Sequence, residues 1–139
     1  MAAITITALT PADANTRVKN VLAGAAISIG ESVYKNTTNN DYELAQCDGT
    51  EEEAKAEGIA ITGCADTERF YIAVGGRWKV TLSSGTLTAG EKYVLDGAGV
   101  AGALSPIGDL GSSDYTTVVF KAETTEIMEM DIDYGAERA

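Results

Sequence analysis

A chain of 139 residues, 45% of them hydrophobic, is long enough for one domain around a single core and too apolar to be disordered as a whole. Its 21 acidic and 10 basic residues give a net charge of −11, which repels nucleic-acid phosphates and anionic lipids, so neither nucleic acid nor membrane is expected as a partner. No apolar run approaches the roughly 20 residues of a spanning helix, and with no histidine and two cysteines a zinc site lacks soft ligands.

At the start of the chain, Ile4, Ile6 and Ala8 alternate with Thr5, Thr7 and Leu9. This is the pattern of a short strand or an extended arm, and not of a signal peptide. Thr10, Pro11, Asp13 and Asn15 then favour a loop. Residues 1–15 are therefore set apart as an N-terminal arm or strand, residues 16–134 as a single β-rich domain, and residues 135–139 as a frayed tail. Val21 and Leu22 read as buried, ahead of a small-residue bend at Gly24, Ala25 and Ala26.

Gly30 and Glu31 form a glycine turn feeding a strand through Val33 and Tyr34. A polar loop follows at residues 36–41, and a returning strand at residues 42–47. Thr50 and Glu53 have the spacing of a capping box, and the acidic run Glu51, Glu52 and Glu53 suits the positive end of a helix dipole. The sequence predicts one short helix near residues 50–57, about two turns long, ended by Gly58. The three glutamates read either as a site for a cation or basic partner or as a solvated, capped turn, and the solvated turn is favoured.

Residues 58–82 carry the clearest pattern. Phe70, Ile72 and Val74 alternate with Arg69, Tyr71 and Ala73; beyond Gly75 and Gly76, Trp78, Val80 and Leu82 alternate with Arg77, Lys79 and Thr81. Alternation on both sides of two glycines predicts a β-hairpin turning at Gly75 and Gly76, with Trp78 as a core anchor. The tip carries no chemistry, so the hairpin reads as scaffold.

Gly90, Glu91, Lys92, Tyr93 and Val94 then echo the residues from Gly30 to Tyr34, as if one device for starting a strand were used twice. Asp96 and Gly97 mark a turn, and residues 116–121 a β-branched strand. At the end Met128, Met130, Ile132 and Tyr134 alternate with Glu129, Asp131 and Asp133. Those carboxylates stand roughly 7 Å apart along a strand, which favours a charged outer face over a calcium site. Short strands with frequent turns predict an all-β fold, a small β-barrel or β-sandwich.

Catalytic equipment is scarce. Without histidine there is no ordinary Ser-His or Cys-His couple, and no phosphate-binding loop or dinucleotide fingerprint is present. No enzyme activity, cofactor or metal is expected. Cys47 and Cys64 are expected to be reduced, a disulfide being the alternative. A lipoyl or biotinyl carrier domain is a rival, but Lys79, Lys92 and Lys121 read as strand positions and not as a hairpin tip.

In the order of its features the chain resembles the capsid cement, or head decoration, proteins of tailed bacteriophages. The resemblance runs over roughly residues 21–121. It takes in the strand start from Gly30 to Tyr34, the segment from Ala56 to Ala60, the Gly75–Gly76 region, the stretch from Leu87 to Leu95 and the late β-branched strand. It implies a non-enzymatic protein on the outer capsid surface that bridges capsomers, with the major capsid protein and copies of itself, as a trimer, for partners. Each added contact between capsomers raises the cost of separating them. The expected partner-binding residues are Ile4, Ile6, Leu9 and Pro11, docking by strand addition or by packing on a neighbour. The alternative is a receptor- or carbohydrate-binding β-module of a surface structure.

Overall fold

A computed structural model of the chain describes residues 4–47, 50–95, 102–107 and 117–133. The strands are β1 (Thr5–Pro11), β2 (Arg17–Leu22), β3 (Ser32–Asn36), β4 (Asp41–Leu44), β5 (Ala56–Ala60), β6 (Arg69–Ser84), β7 (Lys92–Leu95), β8 (Leu104–Pro106), β9 (Val118–Ala122) and β10 (Ile127–Asp133). All their pairings are antiparallel, and the fold is all-β.

The expected hairpin does not form. β6 is one strand of 16 residues that runs straight through Gly75 and Gly76. A hairpin needs its two flanks to pair with each other, but here each flank has two other neighbours. Residues 69–75 pair with β2, and residues 78–84 pair with β1. On the opposite edge β5 takes Ile72 and Ala73, and β10 takes the span from Gly76 to Lys79.

β1 and β2 thus lie end to end along one edge of β6, and the chain leaves that edge between Pro11, opposite Trp78, and Arg17, opposite Gly75. The excursion crosses against the two glycines. A Cβ on Gly76 would lie 2.6 Å from the Thr16 Cα, and the φ there is +94°. The glycines admit a close backbone approach inside a strand, which is their other use in sheets.

The strand order β4-β3-β5-β6-β10-β9-β7-β8 curls at both ends. Ile4, just before β1, bridges to Leu104 in β8, its N–H donating to the Leu104 carbonyl at 2.9 Å. Ala23, just after β2, bridges to Tyr42 in β4. Two rings result, with β6 running through both.

Each ring has its own apolar filling. The larger cluster holds Trp78, Leu104, Met128 and a stacked pair, Tyr93 and Phe120, with ring centroids 4.9 Å apart. The smaller holds Val21, Ile27, Val33, Phe70 and Ile72. Trp78 is a core anchor as expected, its indole N–H donating to the Gly75 carbonyl at 3.0 Å. Phe70 and Trp78 share the inward face of β6 and so fill different rings.

The N-terminal segment is a built-in strand and not a free arm. A register shift between Ile6 and Ala8 breaks the strict alternation, so that Ile4, Ile6 and Leu9 all point inward. The helix near residues 50–57 is a single 3₁₀ turn, Glu52–Ala54. Its capping box forms as read: the Glu53 N–H donates to Thr50 Oγ1 at 3.3 Å and the Thr50 N–H to Glu53 Oε1 at 3.1 Å. The helix goes no further because Ala56–Ala60 is drawn into the sheet between β3 and β6. The tail at residues 135–139, with Tyr134, lies outside the described residues.

Candidate interaction surface

Ile4, Ile6 and Leu9 are 6%, 4% and 6% exposed and belong to the larger cluster. They hold the chain's own ring closed and do not meet on any surface. Pro11 is exposed at the end of β1, opposite Trp78. What β1 offers outward is mainly hydroxyls, at Thr5, Thr7 and Thr10, and Thr7 Oγ1 already donates to the Thr81 carbonyl at 3.2 Å.

Exposed apolar side chains gather elsewhere. Of the large hydrophobic residues that stand exposed, Val18 and Tyr71 (48% each) and Leu22 (37%) lie on the paired strands β2 and β6. The register sets Val18 opposite Ala73, Asn20 opposite Tyr71, and Leu22 opposite Arg69. Alternate residues of a strand share a face, so these side chains form one outward patch beside Arg69. Arg69 is held in place: its Nε donates to Asn20 Oδ1 at 2.6 Å and its Nη2 to the Asn20 carbonyl at 3.4 Å.

Val21 packs inward on the smaller cluster, whereas Lys19, of the same parity, stays half exposed. Lys19 Nζ donates to Tyr42 Oη at 3.0 Å and to Glu57 Oε1 at 3.4 Å, and lies 5.6 Å from the centre of the Tyr42 ring. The hydrogen bond to Tyr42, followed by the Glu57 charge, holds the Lys19 ammonium above its ordinary pKa. Burial pushes the Tyr42 hydroxyl above its own. Lys19 thereby ties β2 to Tyr42 of β4 and to Glu57 of β5, while Val18, Asn20 and Leu22 face out.

Leu22 corrects the sequence expectation that it is buried; of the pair Val21 and Leu22, only Val21 is. Residues 17–22 place apolar side chains on both parities, so the alternation does not say which set faces in. Tyr71 was legible, since it alternates with Phe70 and Ile72 and must face away from their core.

The acidic features resolve into local pairs. Glu129 is exposed between Arg77 of β6 and Lys121 of β9, while its neighbours Met128 and Met130 are buried. The side chains of Asp131 and Asp133 lie outside the described residues. Arg77 Nη2 meets Glu123 at 2.7 Å and its Nη1 meets Asp13 at 3.3 Å; the Arg77 hydrogen bond holds the Glu123 carboxyl below its usual pKa.

Of the three glutamates, Glu53 caps the 3₁₀ turn, Glu52 accepts from Thr37 Oγ1 at 2.7 Å, and Glu51 lies 3.8 Å from Lys55. Among the described residues no group of three or more His, Cys, Asp or Glu side chains is placed to hold a metal ion. Cys47 is buried in the larger cluster, Cys64 packs against the smaller one, and they form no disulfide with each other.

Comparison with protein-family models, curated proteins and solved structures finds no match for this chain.

Proposed function

We propose that the chain is a structural binding protein of a tailed-phage virion, attached to the outer capsid surface and bridging capsomers, with the outward face of β2 and β6 as a contact. The observation that carries a binding role is the patch of Val18, Leu22 and Tyr71 standing exposed beside Arg69. Apolar and aromatic side chains ringed by polar groups, with an arginine alongside, are the composition of protein–protein contact surfaces. The capsid reading is supported by the likeness to cement proteins in the strand starts at Gly30 and Gly90, the segment from Ala56 to Ala60 and the late β-branched strand; the Gly75–Gly76 hairpin that was part of that likeness does not form.

The proposal moves the contact away from Ile4, Ile6 and Leu9, which the chain needs for its own core. The test is co-sedimentation of the protein with capsids assembled from the major capsid protein of the source genome. Retention on shells by the wild-type protein, and its loss in a Val18→Glu/Tyr71→Glu variant that keeps the wild-type thermal transition, is expected. A protein that stays in the supernatant at every ratio overturns the reading.

A further inference from the structure

We infer that the outward face of β2 and β6 receives an amphipathic helix of a protein partner, whose apolar stripe carries a carboxylate at each end. This rests on reading that face as the contact surface, and it names the partner's chemistry.

The face is charged at both ends. Arg17 is opposite Gly75, and its guanidinium lies where a Cβ on that glycine would stand, such a Cβ falling 2.8 Å from the Arg17 Cζ. Gly75 follows Tyr71 and Ala73 in the alternation of β6, so the guanidinium rests on the outward face. Arg69 precedes Tyr71 in the same alternation and is exposed at the other end, held by Asn20. Val18 and Tyr71 lie between the two arginines, and Leu22 stands across from Arg69.

Neither arginine is neutralised, in a chain with 21 acidic residues against 10 basic ones. Arg77, farther along β6, takes Asp13 and Glu123, while Lys19 and Lys55 take Glu57 and Glu51. Among the described residues no carboxylate pairs with Arg17, and Arg69 bonds only to Asn20. Two open guanidiniums beside exposed apolar side chains select a partner with carboxylates and disfavour a basic one.

The occupant's backbone follows from its lying on a face and not along an edge. An extended segment laid across side chains finds no backbone partners there, and its N–H and C=O groups are costly to cover unpaired. A helix satisfies its own. Two strands about 5 Å apart also make a strip about as wide as one helix, some 10 Å across. At about 3.4 Å per residue, the Gly75 and Arg69 positions of β6 stand roughly 20 Å apart. Helix positions i, i+4, i+7 and i+11 share one face and span roughly 16 Å, a length that two outstretched glutamate side chains carry to the arginines. The partner's order on this face is therefore acidic, apolar, apolar, acidic.

The test uses the full chain and two Ala-rich peptides of about 20 residues, long enough to be helical alone. One carries Glu at i and i+11 with Leu at i+4 and i+7; the other has Lys in place of both Glu. NMR shifts are read at backbone amides and at the arginine Nε–H groups. The Glu peptide is expected to shift Val18, Leu22 and Tyr71 together with the Nε–H of Arg17 and Arg69, and to bind about tenfold more tightly than the Lys peptide. Arg17→Glu and Arg69→Glu should each weaken the Glu peptide by about tenfold, as loss of a charge pair plus a new repulsion implies. The double variant, checked for an unchanged thermal transition, should prefer the Lys peptide.

Equal binding of the two peptides, shifts centred on strands other than β2 and β6, or no response at millimolar peptide overturns the inference. So do shifts of the same residues that grow with protein concentration alone, which would make a second copy of the chain the occupant. Capsid sedimentation separates the two readings. Retention on shells by the double arginine variant, beside loss in Val18→Glu/Tyr71→Glu, would overturn the inference and leave the capsid reading standing. Capture of the Glu peptide by a protein that fails to sediment with capsids would retire the capsid reading and leave the helix site standing.

Discussion

The two glycine turns that start β3 and β7 have one backbone and two environments. Gly30 and Gly90 have φ values of +88° and +87°. Each N–H donates to the last residue of the neighbouring strand, Gly30 to the Ala60 carbonyl at 2.9 Å and Gly90 to the Ala122 carbonyl at 2.7 Å. Each following glutamate accepts from that same alanine, at 2.9 Å in both cases, and closes a turn onto Ser28 or Thr88. The equivalence extends outward: β4-β3-β5-β6 and β8-β7-β9-β10 are the same arrangement, laid back to back with β6 against β10.

Yet a Cβ on Gly30 would lie 2.6 Å from the Ile6 Cβ and closer still to the Ile6 carbonyl oxygen, whereas one on Gly90 would meet nothing within 4 Å. Local sequence makes the turn; what packs over it decides how much a change there costs.

The largest effect expected in testing that comparison comes from β6, which joins the first half to β10 of the second and runs through both rings. Trp78→Ala should lower stability by about 4 kcal/mol, the cost of emptying a large buried site. Because β6 runs through both rings, urea unfolding of this variant, which has no tryptophan, followed by tyrosine fluorescence and by far-UV circular dichroism should remain one transition. Two separate transitions would show that the halves are not coupled through β6.

Gly30→Ala should follow, at about 3 kcal/mol, from left-handed strain added to overpacking against Ile6. Gly90→Ala carries the strain alone and should cost about 1 kcal/mol. Equal midpoint shifts for the two in chemical denaturation would remove the distinction drawn here.

The smallest effect is one of pH and belongs to the first half. Hydrogen bonds from Gln46 and then Thr50 hold the Glu53 carboxyl below its ordinary value of 4.5. A carboxyl lowered on folding stabilises the protein above its unfolded pKa, and that contribution is lost as pH falls through the lower, folded value. Glu43 runs the other way: burial and then Asp41 raise it above 4.5, so it costs stability at neutral pH, and acidification relieves that cost. Glu53→Gln should therefore flatten the decline in melting temperature below about pH 4.5, while Glu43→Gln should steepen it.

Much of the local structure was legible. The strands around Val33, Phe70, Trp78, Val119 and Met128 follow from alternation and from turn residues at their ends. The cap between Thr50 and Glu53, and the kinship of the Gly30 and Gly90 turns, follow from spacing. The exposed apolar face of β2 was not read, because residues 17–22 place apolar side chains on both parities. Only Tyr71, out of phase with Phe70 and Ile72, marked the face as outward.

By itself, then, the chain determines an all-β fold, which residues of β6 face inward, and where strands begin. Those properties depend on side-chain period and on the φ that glycine allows, and both act over a few residues. Tertiary structure decided that Gly75 and Gly76 carry a strand onward, that Ile4, Ile6 and Leu9 fill a core, and that Val18 and Leu22 of β2 face outward. Alternation specifies the face a residue takes and not the strand it pairs with. Partners are chosen by the closing of two rings, among residues far apart in the chain.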